Sequence, residues 1–400
     1  MSISFLHTAD WQLGRTFASV EDDQKRSQLQ QERFLAIDRI AALIPIHQPA
    51  FILVAGDLFD SPSVTKPIVS QACAAIGALQ IPVLAIPGNH DHGGPGSLWD
   101  QAFFRRERDQ LAPNLQILTQ REPLHLDRAV ILPCPLLSRF EANDPTTWVR
   151  QAAIDATPSD DKPRILLAHG STRDFAGASD DEDQPSRSAN TIDLDRLPLE
   201  QLDYIALGDW HGTQQLSPKA WYSGTPEIDR FPRGERNNPG HILLVQAARS
   251  AQPTVQAIRT ARLGWHDFSF HFSGDHDFAR FQSELQQLLA DRVGKDLLRL
   301  TMTGSIGIVA TSLLDQLLDA INSRLLRLKV IAKPQISPSG QEMQSLTLRT
   351  TDPMIAEVAS RLIAMEKNEN SEKYDKDASG GDQAELARIA LVELYTLCQS

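Results

Sequence analysis

Five short apolar runs in this chain stop abruptly on the same kinds of polar residue, and that feature limits the fold more than any other. They are FLHTADWQLGR (5–15), VAGDLFDS (54–61), LAIPGNHDHGGPG (84–96), LLAHGS (166–171) and ALGDWHG (206–212). Residues 51–55, 83–86, 165–168 and 204–207 are apolar on both strand faces. Strands of that kind belong to a largely parallel sheet covered by helices, so the expected fold class is α/β. Ahead of the second run, Phe34, Ile37, Ile40 and Leu43 recur at about one helical turn, which gives the βα alternation its helix.

Ligands of open α/β sheets bind just beyond the carboxyl ends of the strands, so five such ends can converge on one point. Together they carry Asp10, Gln12, Asp57, Asn89, His90, His169, Asp209 and His211. Carboxylates, imidazoles and amide oxygens are the donors that divalent ions take. A pair of such ions about 3.5 to 4 Å apart needs one carboxylate able to bridge them. Asp57 suits the bridge, because Gly56 before it permits a tight turn at the strand end. Each fragment alone is weak: Gly-Asp after a strand is usually a turn, and a strand-end His is usually a hydrogen-bonded structural residue. Five in order, all at strand ends, argue against coincidence. His7 points away from this point by strand alternation, and His92 reads as a bystander.

A length of 400 residues exceeds what one core usually supports. The pattern changes near Gly240, where GHILLVQAARSAQPTVQAIRTARLGW reads as two strands around a Ser-Ala-Gln-Pro turn. The expected organisation is a domain over 1–265, an α+β capping domain over 266–345 and a helical tail over 346–400. In the cap, Phe278, Phe281, Leu285 and Leu288 mark one helix face and 311–322 a second helix; in the tail, Ile355, Val358, Ala359 and Leu362 mark another. A disordered segment is expected over 367–383 and a terminal helix over 384–398; these tail helices either pack on their own domain or offer a partner surface. SDDEDQP (179–185) reads as a solvated acidic loop. A net charge of -12 argues against coating nucleic acid through a broad basic surface, while leaving room for a local basic groove. No run approaches the roughly 20 apolar residues of a membrane helix, so no membrane partner is expected. The start MSISFLHTAD lacks signal-peptide regions and the three cysteines are scattered, which fits a cytoplasmic protein.

These motifs resemble the calcineurin-like metallophosphoesterases, with their ordered D-x-H, G-D-x-x-D, G-N-H-D or G-N-H-E, strand-end His and G-H-x-H. Within that family, HTADWQLGR, VAGDLFDSP, IPGNHDHG, YIALGDWHG and YSGTPEIDRF look most like the SbcD-type DNA repair exonucleases. The resemblance covers roughly residues 1–245 well, and the cap and tail only in layout. It implies a sandwich of two mixed β-sheets flanked by helices, carrying two divalent ions, manganese first and magnesium second. One ion would take Asp10, Gln12, Asp57 and His211, and the other Asp57, Asn89, His169 and Asp209. His90 would contact the phosphate as a general acid or electrostatic stabiliser, with Asp60 orienting or charge-tuning it; a helix cap is the equal alternative for Asp60. The implied partners are DNA ends or hairpins and an SMC-like coiled-coil ATPase subunit, with a homodimer left open.

Two positions depart from the family pattern. Gln12 stands where His is usual, and Asp209 where the first His of G-H-x-H is usual; both exchange an imidazole for an oxygen ligand. For substrate, Arg15 lies close to the first motif, and Arg230, Arg233 and Arg236 cluster after the last one, as groups suited to bidentate phosphate contacts. A solvated loop is the equal alternative for the second group. The expected function is a two-metal phosphodiesterase, a DNA exonuclease or endonuclease of repair. The alternatives are a small-nucleotide phosphodiesterase or phosphatase and a non-catalytic DNA or ATPase adaptor.

Overall fold

In a computed structural model of the chain, the described residues are 2–150, 161–172, 189–232, 238–366 and 380–399. The acidic stretch 179–185 and residues 367–379 of the expected disordered segment lie outside them. The chain divides into two compact units, Met1–Leu263 and Gly264–Ser400.

The first unit contains two six-stranded sheets. One has the order β14 (Thr254–Arg259), β13 (His241–Ala248), β1 (Ser2–Thr8), β2 (Ile52–Val54), β3 (Val83–Ala85), β4 (Leu115–Ile117). Strands β1 to β4 run parallel, and β13 joins β1 antiparallel as the inner strand of the β13–β14 hairpin. The other has the order β11 (Gln214–Gln215), β12 (Ala220–Tyr222), β10 (Tyr204–Gly208), β7 (Arg164–His169), β6 (Val130–Cys134), β5 (Leu124–His125), parallel except at its two edges. A short pair, β8 (Ser171–Thr172) with β9 (Thr191–Ile192), follows β7. The five apolar runs therefore divide three and two between two mixed sheets, the arrangement that the family resemblance implies, rather than forming one parallel sheet.

Strand alternation explains why these runs are apolar throughout. Phe5, Leu53, Ala55 and Leu84 from the first sheet form one buried cluster with Ile131, Ile165, Leu167, Tyr204 and Ala206 from the second. The intervening Leu6, Ile52, Val54 and Val83 pack with Phe34, Ile37 and Ile40 of α1 (Asp23–His47), Val69 and Ile76 of α2 (Lys66–Gly77) and Phe104 of α3 (Ala102–Leu111). Both faces are thus covered, one by a sheet and one by helices. His7 belongs to this architecture: its ring bonds the Tyr204 hydroxyl (2.9 Å) and the Leu207 carbonyl (3.2 Å). Burial pushes its pKa down to about 3, against the pull of the Leu207 carbonyl, so it is a neutral tie from β1 to β10.

In the second unit, β15 (Gly264–Phe272), β16 (Asp296–Ile306) and β17 (Arg327–Ala332) pair in parallel, and β18 (Gln335–Ile336) pairs parallel with β16. Parallel pairing in the module expected as α+β follows from its helical crossovers, α4 (Phe278–Leu289) and α5 (Ile308–Arg324). The buried stripe of α4 is Phe281, Leu285 and Leu289, with Leu288 outside it. A helix not anticipated, α6 (Gly340–Thr347), starts at a capping box of Ser339 and Glu342. The terminal helix α8 (Gly380–Gln399) begins earlier than expected; its Leu391 and Tyr395 cluster with Ala359 of α7 (Pro353–Glu366) and Leu346 of α6. No helix among the described residues is long and apolar enough to cross a membrane.

Candidate metal centre

The centre lies beyond the carboxyl ends of β1, β2, β3, β7 and β10, all in the first unit. Backbone conformation sets it apart. Asp10, Gln12 and Asp57 have φ of 53°, 40° and 54°, and Asp209 has φ of 102°. Side-chain-bearing residues seldom adopt this region, and the cost is about 1–3 kcal/mol each when surrounding structure enforces it. Here a ladder of main-chain bonds does so: Asp10 N–H donates to Gly56 O (3.1 Å), Gln12 N–H to Asp57 O (2.9 Å) and Leu13 N–H to Leu58 O (2.9 Å). From below, the buried Arg33 of α1 donates to Trp11 O (2.6 Å), Asp10 O (2.8 Å) and Thr225 Oγ1 (3.1 Å).

Glycine is required where turns meet ligands. A Cβ on Gly88 would lie 2.1 Å from Asp57 Oδ1, and one on Gly56 2.2 Å from His169 Nδ1. Gly88→Ala must therefore displace the Asp57 carboxylate. The expected result is an ion affinity at least about tenfold weaker, read by isothermal titration with Mn²⁺.

Asp10, Asp57 and His169 each offer a donor atom within 4.8 Å of the other two, and all three residues are buried. His169 Nδ1–H donates to Ala55 O (2.8 Å), which turns Nε2 inward. There Nε2 is 2.9 Å from Asn89 Oδ1, 3.6 Å from Asp57 Oδ1 and 3.8 Å from Asp209 Oδ1. Burial alone would lower the His169 pKa, but Asp57, Asp10 and Asp209 outweigh it and push it up to about 9. His169 Nε2 and the oxygens of Asn89, Asp57 and Asp209 thus converge on one point, a donor set into which a divalent cation would fit. An ion taken there displaces the Nε2 proton, so its affinity falls as pH drops below about 9; titrations in buffers of different ionisation enthalpy read the proton released. Burial pushes the Asp10 carboxyl up to about 6, eased by His211 and His169. Asp209 is raised by burial too and is held by the Ser171 hydroxyl, which donates to its Oδ2.

The other side of the centre is built differently. His211 Nδ1–H donates to Asp229 (3.1 Å), and its Nε2 faces the Gln12 amide nitrogen (3.3 Å) and Arg230 Nη2 (3.2 Å). Asp229 is buried; burial would raise its pKa, but Arg230, His211 and Arg15 hold it well below the usual carboxylate range. Arg15 Nη1 donates to Gln12 Oε1 and lies 3.2 Å from Asp229. Arg233 and Arg236 lie outside the described residues.

The His90 ring is held by the main chain. Its Nδ1–H donates to the Asp60 carbonyl (2.8 Å), its own N–H donates to Asp57 Oδ1 (3.0 Å), and its Nε2 lies 3.9 Å from Asp57 Oδ2. The Asp60 carboxylate faces Arg15 at 3.5 Å and caps no helix; α2 has Thr65 at its N-cap. The Asp60 carbonyl is thus the atom that orients the His90 ring. Burial raises the pKa of the Asp60 carboxyl, while Arg15 and His90 pull it down, so its charge still acts on His90. Asp91, within the NHD motif, braces the loops: its carboxylate accepts from Gly88 N (2.7 Å) and Phe59 N (3.0 Å). Burial and the neighbouring Asp57 push its pKa up to about 7. Asp229, Ser171, Asp91 and Arg33 are the site residues that sequence reasoning did not single out. The only signals were position inside YSGTPEIDRF and adjacency to Arg230 for Asp229, and position inside the strand-end motifs for Ser171 and Asp91.

A family model described as calcineurin-like phosphoesterase matches residues 3–244. Among solved structures, TT1561 of Thermus thermophilus aligns at 11% identity with a TM-score of 0.40, over 65% of this chain and 100% of that one. A second solved structure aligns with the same figures.

Proposed function

The chain belongs to the calcineurin-like phosphoesterase family, and from that premise we propose that its metal-dependent phosphoesterase centre cleaves DNA phosphodiesters, at ends or hairpins. The observation that carries the reading is the meeting of Asp10, Asp57 and His169 within 4.8 Å, with the guanidinium groups of Arg15 and Arg230 beside it. The likeness of the motifs to SbcD-type exonucleases supports DNA as substrate, repair as setting and an SMC-like coiled-coil ATPase as partner. An oxygen-rich donor set with imidazole suits Mn²⁺ or Mg²⁺.

Hydrolysis adds the oxygen of water to phosphorus and breaks the bond to the leaving oxygen, which takes a proton. A bound divalent ion would polarise the phosphoryl oxygen and favour hydroxide at neutral pH. Asp57, Asn89, His169 and Asp209 would hold it. His90 gives the leaving oxygen its proton from Nε2 while the Asp60 carbonyl fixes the ring. Arg15 and Arg230 receive the phosphate.

A net charge of -12 favours a second substrate class, small nucleotides, which need no extended basic surface. Labelled duplex and hairpin DNA, digested with Mn²⁺ beside cyclic and linear nucleotides, separates the two. Cleavage of DNA is expected; nucleotide turnover with intact DNA would overturn the DNA reading.

A further inference from the structure

Two guanidinium groups stand on the donor atoms that an ion would need on the Gln12–His211 side. Gln12 Oε1, its only oxygen donor, accepts from Arg15 Nη1. The amide nitrogen of Gln12 faces His211 Nε2 at 3.3 Å. His211 has one lone pair to give, at Nε2, because Nδ1–H is committed to Asp229; Arg230 Nη2 lies 3.2 Å from that lone pair.

Both arginines are anchored. Arg15 Nη1 reaches Asp229 Oδ2 at 3.2 Å and Asp60 Oδ1 at 3.5 Å, and Arg230 Nε reaches Asp229 Oδ1 at 3.2 Å. Asp229 is buried, so its charge holds the two guanidiniums as a pair instead of leaving them to solvent. A dication on this side would still be drawn by Asp10 and Asp57, but its Gln12 and His211 donors are already engaged by guanidinium groups that would repel it at close range. The Asn89–His169 side has the opposite character: Asp57, Asn89, His169 and Asp209 converge there with no guanidinium on their donor atoms in the contacts described.

We infer that this centre holds one tightly bound divalent ion, on the Asp57–Asn89–His169–Asp209 side, and that Arg15 and Arg230 supply the fixed positive charge opposite it, as a fork for a phosphate group. The inference rests on the phosphoesterase reading of the site. The exchange of imidazole for amide at Gln12 and of imidazole for carboxylate at Asp209 then has one meaning. Gln12 yields its side of the centre to Arg15, and Asp209 strengthens the ion on the other. A guanidinium fork matches two phosphate oxygens at once, which orients the group as well as balancing its charge.

The test uses the full chain and no turnover. Protein is incubated with Mn²⁺, freed of loose ion by gel filtration, and its metal counted by mass spectrometry; inorganic phosphate binding is then titrated. Wild type is expected to keep one ion per chain. Arg15→Met with Arg230→Met is expected to bind phosphate at least about tenfold more weakly, as expected for losing two charge-assisted contacts. Arg15→Lys with Arg230→Lys keeps the charge and guards against misfolding of the first variant; its phosphate affinity should fall less. Two ions in wild type, or none, overturns the inference, as does unchanged phosphate affinity in both double variants. One ion with no hydrolysis of any phosphodiester would instead count against the function proposed above and leave the ion count standing.

Discussion

Asp57→Asn is expected to abolish tight ion binding and to lower phosphodiester hydrolysis by about 10³-fold or more. Several kcal/mol of charge stabilisation depend on a correctly held ion, and each 1.36 kcal/mol is a factor of ten in rate. Asp57 is the residue every other part of the centre addresses. Its carboxylate lies 3.6 Å from His169 Nε2 and 3.9 Å from His90 Nε2, and it accepts the His90 N–H. The substitution keeps the shape of the side chain and removes the charge, so a correct fold with metal lost is the expected outcome. Metal content and kcat on bis-p-nitrophenyl phosphate check it; equal metal in wild type and variant would refute the central place given to Asp57.

His90→Ala should do the converse, keeping the ion and losing turnover. General acid catalysis contributes about 10²–10⁴-fold, and that is the expected fall in kcat on DNA. On bis-p-nitrophenyl phosphate the fall should be smaller, because nitrophenolate leaves without needing a proton. Asp60→Ala should cost far less than His90→Ala, since the acceptor for the His90 ring is the Asp60 carbonyl, which alanine retains. A loss of the same size in the Asp60 variant would instead place the orienting role on its carboxylate.

Much of this centre was legible in the sequence, for a physical reason. A strand buried on both faces must be apolar throughout, so its end is marked wherever Asp, Asn or His interrupts the run, as at Asp57 after Val54 and His169 after Leu167. The arrangement of the strands was less legible. Nothing within 51–55 or 204–207 tells whether the far face meets a helix or a second sheet, because both coverings demand the same residues. The second tier of the site escaped for a related reason. Asp229, Arg33 and Ser171 acquire their roles from partners brought together by the fold: Asp229 from Arg15, Arg33 from the Trp11 and Asp10 carbonyls, Ser171 from Asp209. Local spacing does not encode such contacts. Asp60 shows the limit from the other direction, since the family resemblance implied a place beside His90 but not its backbone oxygen as the acceptor. The left-handed turns at Asp10, Gln12, Asp57 and Asp209 were equally hidden, as no glycine stands at those positions to announce them.

The claim on which the rest depends is that this is a working metal-dependent phosphoesterase. Its most direct test is hydrolysis of bis-p-nitrophenyl phosphate by the full chain after chelation and after return of Mn²⁺. Turnover lost on chelation and restored with the ion is the expected result. Turnover indifferent to chelation, or none at all with the ion bound, would contradict it.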